Sequence, residues 1–127
     1  MEATRNKENF TGYKNLTLYA KACALVVLVY KITKKFPKEE LFGLTSQMRR
    51  CAVSIVANIV EGYGRRTPKD KLQFLYIARG SLSELECYID LSQQLEYINP
   101  TEQSELAKAK AEVGKLLFGF MRSLETR

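Results

Sequence analysis

The chain has 127 residues, 46% hydrophobic and 27% charged, which fits one globular domain and excludes a low-complexity or collagen-like polymer. It contains no histidine, which removes the commonest general base, the usual nucleophilic triads and the Glu-x-x-His ligand pattern of di-iron bundles. The formal charge is +6 and uneven: residues 1–79 carry fifteen Lys/Arg against six Asp/Glu, and residues 80–127 carry five against eight, so one basic and one acidic end or face is expected.

In chain order, Met1–Asn9 is polar and lacks periodicity, so residues 1–12 are expected to be a flexible lead into a single domain spanning 1–127. Glu2, Arg5, Lys7 and Glu8 are not followed by an apolar stretch, as a secretory signal would require. The most apolar run, Ala22–Tyr30, is about half the ~20 residues that span a bilayer. A cytoplasmic protein without a membrane partner is the expectation. The first predicted helix covers Asn15–Phe36, with Leu18, Ala22, Leu25, Val29, Ile32 and Phe36 at steps of four and three. A second series, Tyr19, Cys23, Val26, Tyr30 and Thr33, makes its apolar stripe wide enough to favour self-association. Pro37 then stops the helix.

The connector Pro37–Leu44 should carry a short turn at Lys38–Leu41, with Thr45 capping a second helix over Ser46–Glu61. Met48, Ala52, Ile55 and Ile59 form its inner face, Val53, Val56 and Val60 extend that face, and Gly62 sits where a left-handed terminal residue is wanted. Thr67-Pro68-Lys69-Asp70 starts a third helix that runs to about Leu95 and buries Leu75, Ala78, Leu82, Leu85 and Ile89. Asn99-Pro100-Thr101-Glu102 starts the fourth, whose expected inner face is Leu106, Ala109, Val113, Leu116, Phe120 and Leu124. Four amphipathic helices on short loops predict an all-α, up-down-up-down antiparallel four-helix bundle.

Few residues are candidates for chemistry. Glu84, Glu86 and Asp90 cannot all face one core position on a helix, and Gly62-Tyr63-Gly64 is too short for a phosphate loop. No catalytic residue, cofactor, metal or small-molecule substrate is therefore expected. Cys23, Cys51 and Cys87 are odd in number and far apart, as expected of buried hydrophobes rather than a disulfide framework or zinc site. Gly80 points to a close helix crossing.

Gln47, Arg50, Ser54, Asn58 and Glu61 recur at steps of three and four on the second helix. A turn around Tyr63–Arg66 would bring Arg50 near Arg79–Ser83, Ser54 near Leu75 and Tyr76, and Asn58 near Lys71. One reading is a structural polar network of Gln47, Ser54, Asn58, Glu61 and Glu84, with Glu84 paired to Arg49 or Arg50. The other is a solvated helix face. The basic residues Arg49, Arg50, Arg65, Arg66, Lys69 and Lys71 are the candidate nucleic-acid-binding set, at two poles of the bundle and with Tyr63 placed to stack on a base. Cations near helix ends and soluble lysine surfaces are the structural alternative.

The stretches Phe42–Ile55, Asn58–Arg65 and Phe74–Glu86, read residue by residue, resemble the bacterial four-helix-bundle family named after the 23S rRNA intervening-sequence protein. The likeness runs from Phe10 through the fourth helix. Val56 replaces a proline usual in the family, which should leave the second helix straighter, and Tyr19 stands where a tryptophan is common. The resemblance implies a cytoplasmic bacterial bundle, a ring-forming homopentamer, and an association with ribosomal RNA insertions. Similar pentameric bundles serve as nucleic-acid-binding subunits of retroelement reverse transcriptases. The expected function is thus a non-enzymatic, oligomeric, RNA- or ribonucleoprotein-associated protein. The alternative is a protein-interaction scaffold whose basic cluster is taken up by contacts to the acidic C-terminal half.

Overall fold

In the computed structural model, which describes residues 12–125, side-chain caps set two of the helix starts. The bundle is built of α1 (Thr17–Thr33), α2 (Leu44–Tyr63), α3 (Pro68–Gln94) and α4 (Pro100–Glu125), with short 3-10 turns at Gly12–Asn15 and Lys38–Glu40. Thr67 accepts a hydrogen bond from the Asp70 N–H at 3.1 Å, with Pro68 in the first helical position. The start of α4 is a reciprocal capping box. Asn99 Oδ1 accepts from the Glu102 N–H at 2.7 Å, and Glu102 Oε1 accepts from the Asn99 N–H at 3.0 Å. Residues 1–11, most of the expected flexible lead, lie outside the described residues, and Gly12 already belongs to a turn.

Contacts between distant residues fix the topology. Arg49 reaches Thr33, Cys51 reaches Ser81, Lys110 pairs with Glu86, and Lys21 pairs with Glu112. Near its end α1 meets the start of α4 through Lys35 and Glu102. Each helix therefore runs antiparallel to its two neighbours around a square, and α2 against α3 is the most extensive contact. The core is the predicted seam: Leu25, Met48, Ile55, Ile59, Leu75, Leu85 and Leu106 are fully buried, each contributing ~1.5–3 kcal/mol relative to exposure. No helix among the described residues is long and apolar enough to cross a membrane.

Several local expectations are corrected. Helix α2 starts two residues early, at Leu44, where Glu40 Oε1 accepts the Leu44 N–H at 3.2 Å. Thr45 is consequently not a cap but a buried residue within the first turn. Gly62 is helical, not left-handed; the helix continues to Tyr63. Its reason is steric, since a Cβ there would lie 3.1 Å from the Lys71 carbonyl oxygen and 3.2 Å from Leu75 Cδ2. Gly80, by contrast, faces open space and marks no crossing. On α4 the buried line is Leu106, Val113, Leu117, Met121 and Leu124, while Ala109, Leu116 and Phe120 are only half-buried. Of the cysteines only Cys51 is buried; Cys23 is half-buried and Cys87 exposed.

Among the described residues, the one left-handed non-glycine residue is Glu96, with φ 62°. It closes α3 in a Schellman arrangement in which the Tyr97 N–H donates to the Ser92 carbonyl at 2.9 Å. That bend aims Tyr97 across the pole, where its hydroxyl donates to Glu40 Oε2 at 2.8 Å and its ring lies 5.3 Å from Phe36. Together with Lys35–Glu102, these contacts clamp the α1–α2 connector to the α3–α4 connector.

Candidate nucleic-acid interface

The six candidate basic residues fall into three settings. Arg49 is a tie between helices: its Nε donates to Thr33 Oγ1 at 2.9 Å and its guanidinium lies 4.7 Å over the Tyr30 ring. Arg50, one residue on and so about 100° around the helix, is exposed and lines the opposite flank. The other four surround the α2–α3 turn. Arg65 pairs with Glu61 at 2.5 Å and stacks 4.6 Å over Phe74. Lys71 Nζ donates to the Tyr63 carbonyl at 2.7 Å and sits 5.4 Å over the Tyr63 ring. Arg66 and Lys69 are exposed, and no carboxylate among the described residues lies within ion-pair distance of either.

Aromatic rings interleave with this charge. Phe74 lies under Arg65, and Tyr76 lies 5.1 Å under Arg79 on the exposed side of α3. The Tyr76–Arg79 pair was missed in the sequence, although its i,i+3 spacing on a helix is the signal for it. Tyr63 is less available than expected, because its ring also packs 6.3 Å from Phe120.

The polar residues of α2 divide similarly. Ser54 and Ser81 share a hydroxyl hydrogen bond at 3.0 Å, and Asn58 Nδ2 donates to the Ser54 carbonyl at 2.8 Å and to Ser54 Oγ at 3.1 Å. Ser54 therefore faces Ser81, not Leu75 and Tyr76, and Lys71 faces Gly62, not Asn58. The turn lies later than expected, after α2 has run on to Tyr63, and the facing positions on α3 shift with it. Among the described residues Glu61 bonds only locally, to Arg65. Glu84 makes no ion pair with Arg49 or Arg50: Arg49 is turned to α1, and Arg50 stands on the other lip of a groove of about 300 Å³ that also includes Gln47, Cys51, Ser54 and Ser81.

Burial, then the adjacent Glu84 carboxylate, push the Cys51 thiol up to about 12, so this sulfur is a neutral donor to the Ser81 carbonyl at 2.8 Å rather than a nucleophile. The same two causes, in the same order, raise Tyr88. No group of three or more Cys, Asp or Glu among the described residues is placed to hold a metal ion.

A third feature is apolar. Cys23, Val26 and Val27 of α1 and Val53, Val56 and Ala57 of α2 line a groove of about 360 Å³, with Val27 67% exposed. It contains Cys23 and Val26 of the second apolar series of α1, which the bundle leaves half-buried, while Thr33 of that series is buried.

No curated protein matches the chain. A crystal structure of a protein of unknown function from the S23 ribosomal protein family of Bacteroides thetaiotaomicron is similar to it, with a TM-score of 0.74 and 25% identity, covering 83% of this chain and 98% of the other. Residues 14–119, from the turn before α1 to near the end of α4, match the family described as 23S rRNA-intervening sequence protein, and the chain belongs to that family.

Proposed function

We propose that this protein is a non-enzymatic, self-associating binding protein whose partner is RNA or a ribonucleoprotein. The observation that carries the reading is the α2–α3 turn, where Arg66 and Lys69 project unpaired beside the stacked pairs Arg65–Phe74 and Arg79–Tyr76. Free cations supply counterion-releasing contacts to phosphates, and ring faces beside them suit unstacked bases. The family's association with an rRNA intervening sequence points the same way. Self-association, in a ring of five, uses the uncovered valine groove of α1 and α2, since an apolar surface of this kind is ordinarily covered by another chain.

Light scattering after size exclusion, with and without single-stranded RNA, tests stoichiometry and binding together. A salt titration adds the electrostatic signature. Changing Arg66 and Lys69 to glutamine should lower the slope of log affinity against log salt by about 0.7 per lost contact. Absent or salt-insensitive binding overturns the RNA reading. A second reading, a scaffold without a nucleic-acid ligand, draws on the same valine groove, and a defined oligomer indifferent to RNA would favour it.

A further inference from the structure

The groove between α2 and α3 holds two opposite charges that no contact among the described residues neutralises. Its floor is satisfied within itself. Cys51 Sγ donates to the Ser81 carbonyl, Ser54 and Ser81 bond each other through their hydroxyls, and Asn58 braces Ser54. Cys51 and Tyr88 also offer hydrogen bonds to the Glu84 carboxylate, so a ligand resting there would share that acceptor with them. The walls differ: Gln47 and Arg50 rise from α2, Glu84 rises from α3, and all three are exposed. Neither Arg50 nor Glu84 forms an ion pair, with each other or with any other described residue.

An arginine presents a planar fork of donors, and a glutamate presents two acceptor oxygens. A flat ligand that engages both fully has paired acceptors on one edge and paired donors on another. Among the RNA bases guanine alone meets this. Its O6 and N7 accept together, while N1–H and the N2 amino group donate together. Adenine and cytosine offer a single amino donor beside their acceptors, and uracil a single ring N–H between two carbonyls. The geometry points to this groove as a guanine subsite, with Arg50 on the O6/N7 edge and Glu84 on the N1/N2 edge. The inference rests on the RNA-binding reading above and adds a base identity to it. The subsite lies on the same pair of helices as the cationic turn, with Arg50 about 20 Å along α2 from the helix end at Tyr63.

The test uses the full chain and fluorescein-labelled hexaribonucleotides of uridine carrying one guanosine, adenosine, inosine or 7-deazaguanosine, followed by anisotropy at low salt. Guanosine should bind about tenfold or more tighter than adenosine. Inosine, which lacks the N2 amino group, and 7-deazaguanosine, which lacks the N7 acceptor, should each fall between them. Glu84→Gln should erase the guanosine preference, bringing the guanosine and adenosine hexamers to the same affinity. The base analogues test the wild-type protein, so they decide the matter even if the variant folds poorly. Equal affinity for all hexamers overturns the guanine subsite and leaves RNA binding standing. Failure of every hexamer to bind overturns both.

Discussion

Replacing Gly62 and, separately, Gly80 with alanine adds one methyl group to each of two helix interiors, and the two changes should move stability in opposite directions. Both gain about 1 kcal/mol from alanine's helix preference over glycine. At Gly80 nothing lies within 4 Å of the new carbon, so the gain stands whole. At Gly62 the carbon would meet the Lys71 carbonyl oxygen at 3.1 Å and Leu75 Cδ2 at 3.2 Å. Leu75 is fully buried, and the carbonyl is main chain in the first turn of α3, so neither can retreat unless the two helices separate. Overpacking of this kind costs about 1–3 kcal/mol, which leaves Gly62→Ala a net loss of about 1 kcal/mol. For a chain of this length each change is a shift in Tm of roughly 3–5 °C, downward at Gly62 and upward at Gly80. Melts followed by circular dichroism at several protein concentrations separate folding from self-association. A Gly62→Ala protein that melts above the wild type would refute the reasoning.

Other outcomes follow from buried or tied groups. Thr45 is 3% exposed and its hydroxyl has no hydrogen-bond partner among the described residues, so Thr45→Val should raise stability by about 1 kcal/mol in urea titrations; a loss would mean that the hydroxyl is satisfied. The Lys35 ammonium, and after it the Asn99 N–H, hold the Glu102 carboxyl below the ordinary glutamate value of 4.5. A folded-state value below the unfolded one means stability that is present above that pH and lost as pH falls through the folded value. Glu102→Gln should therefore be less stable than the wild type at neutral pH, with the two urea midpoints converging in acid; parallel curves down to about pH 3 would count against the linkage. Alkylation with iodoacetamide should mark exposed Cys87 well before Cys51, whose thiol is buried and held protonated, and peptide mass spectrometry that found Cys51 modified first in the native protein would contradict this.

Local signals were readable in the sequence wherever their partners lay within one helical turn. The capping residues Thr67 and Asn99 and the main buried lines of the first three helices need only chemistry and period, whereas the first helix ends at Thr33, short of the expected Phe36, and Val53, placed beside the buried line of the second, is exposed. The errors came where two helices must be aligned. Helix α4 carries apolar residues at 113, 116, 117, 120, 121 and 124, and lines through 116–120 or 117–121 both satisfy helical spacing. Only the neighbours select Leu117 and Met121. Gly62 and Gly80 look alike in sequence, and which of them meets another helix depends on a pairing that a two-residue extension of α2 alters. For the same reason the partner of Arg49 proved to be Tyr30 and Thr33 of α1, not Glu84.

The clamp at the Tyr97 pole has a consequence for the order in which the chain assembles. Glu40 and Tyr97 stand 57 positions apart, and Lys35 and Glu102 stand 67 apart. The α2–α3 hairpin, closed by a short turn, can form from contiguous sequence. The clamp must wait until the ribosome has released the last quarter of the chain, because loop closure precedes any reward from contacts so widely separated. Until then the connector after α1 has nothing to dock against, and the Phe36 ring that Tyr97 covers stays open to whatever meets the nascent protein first.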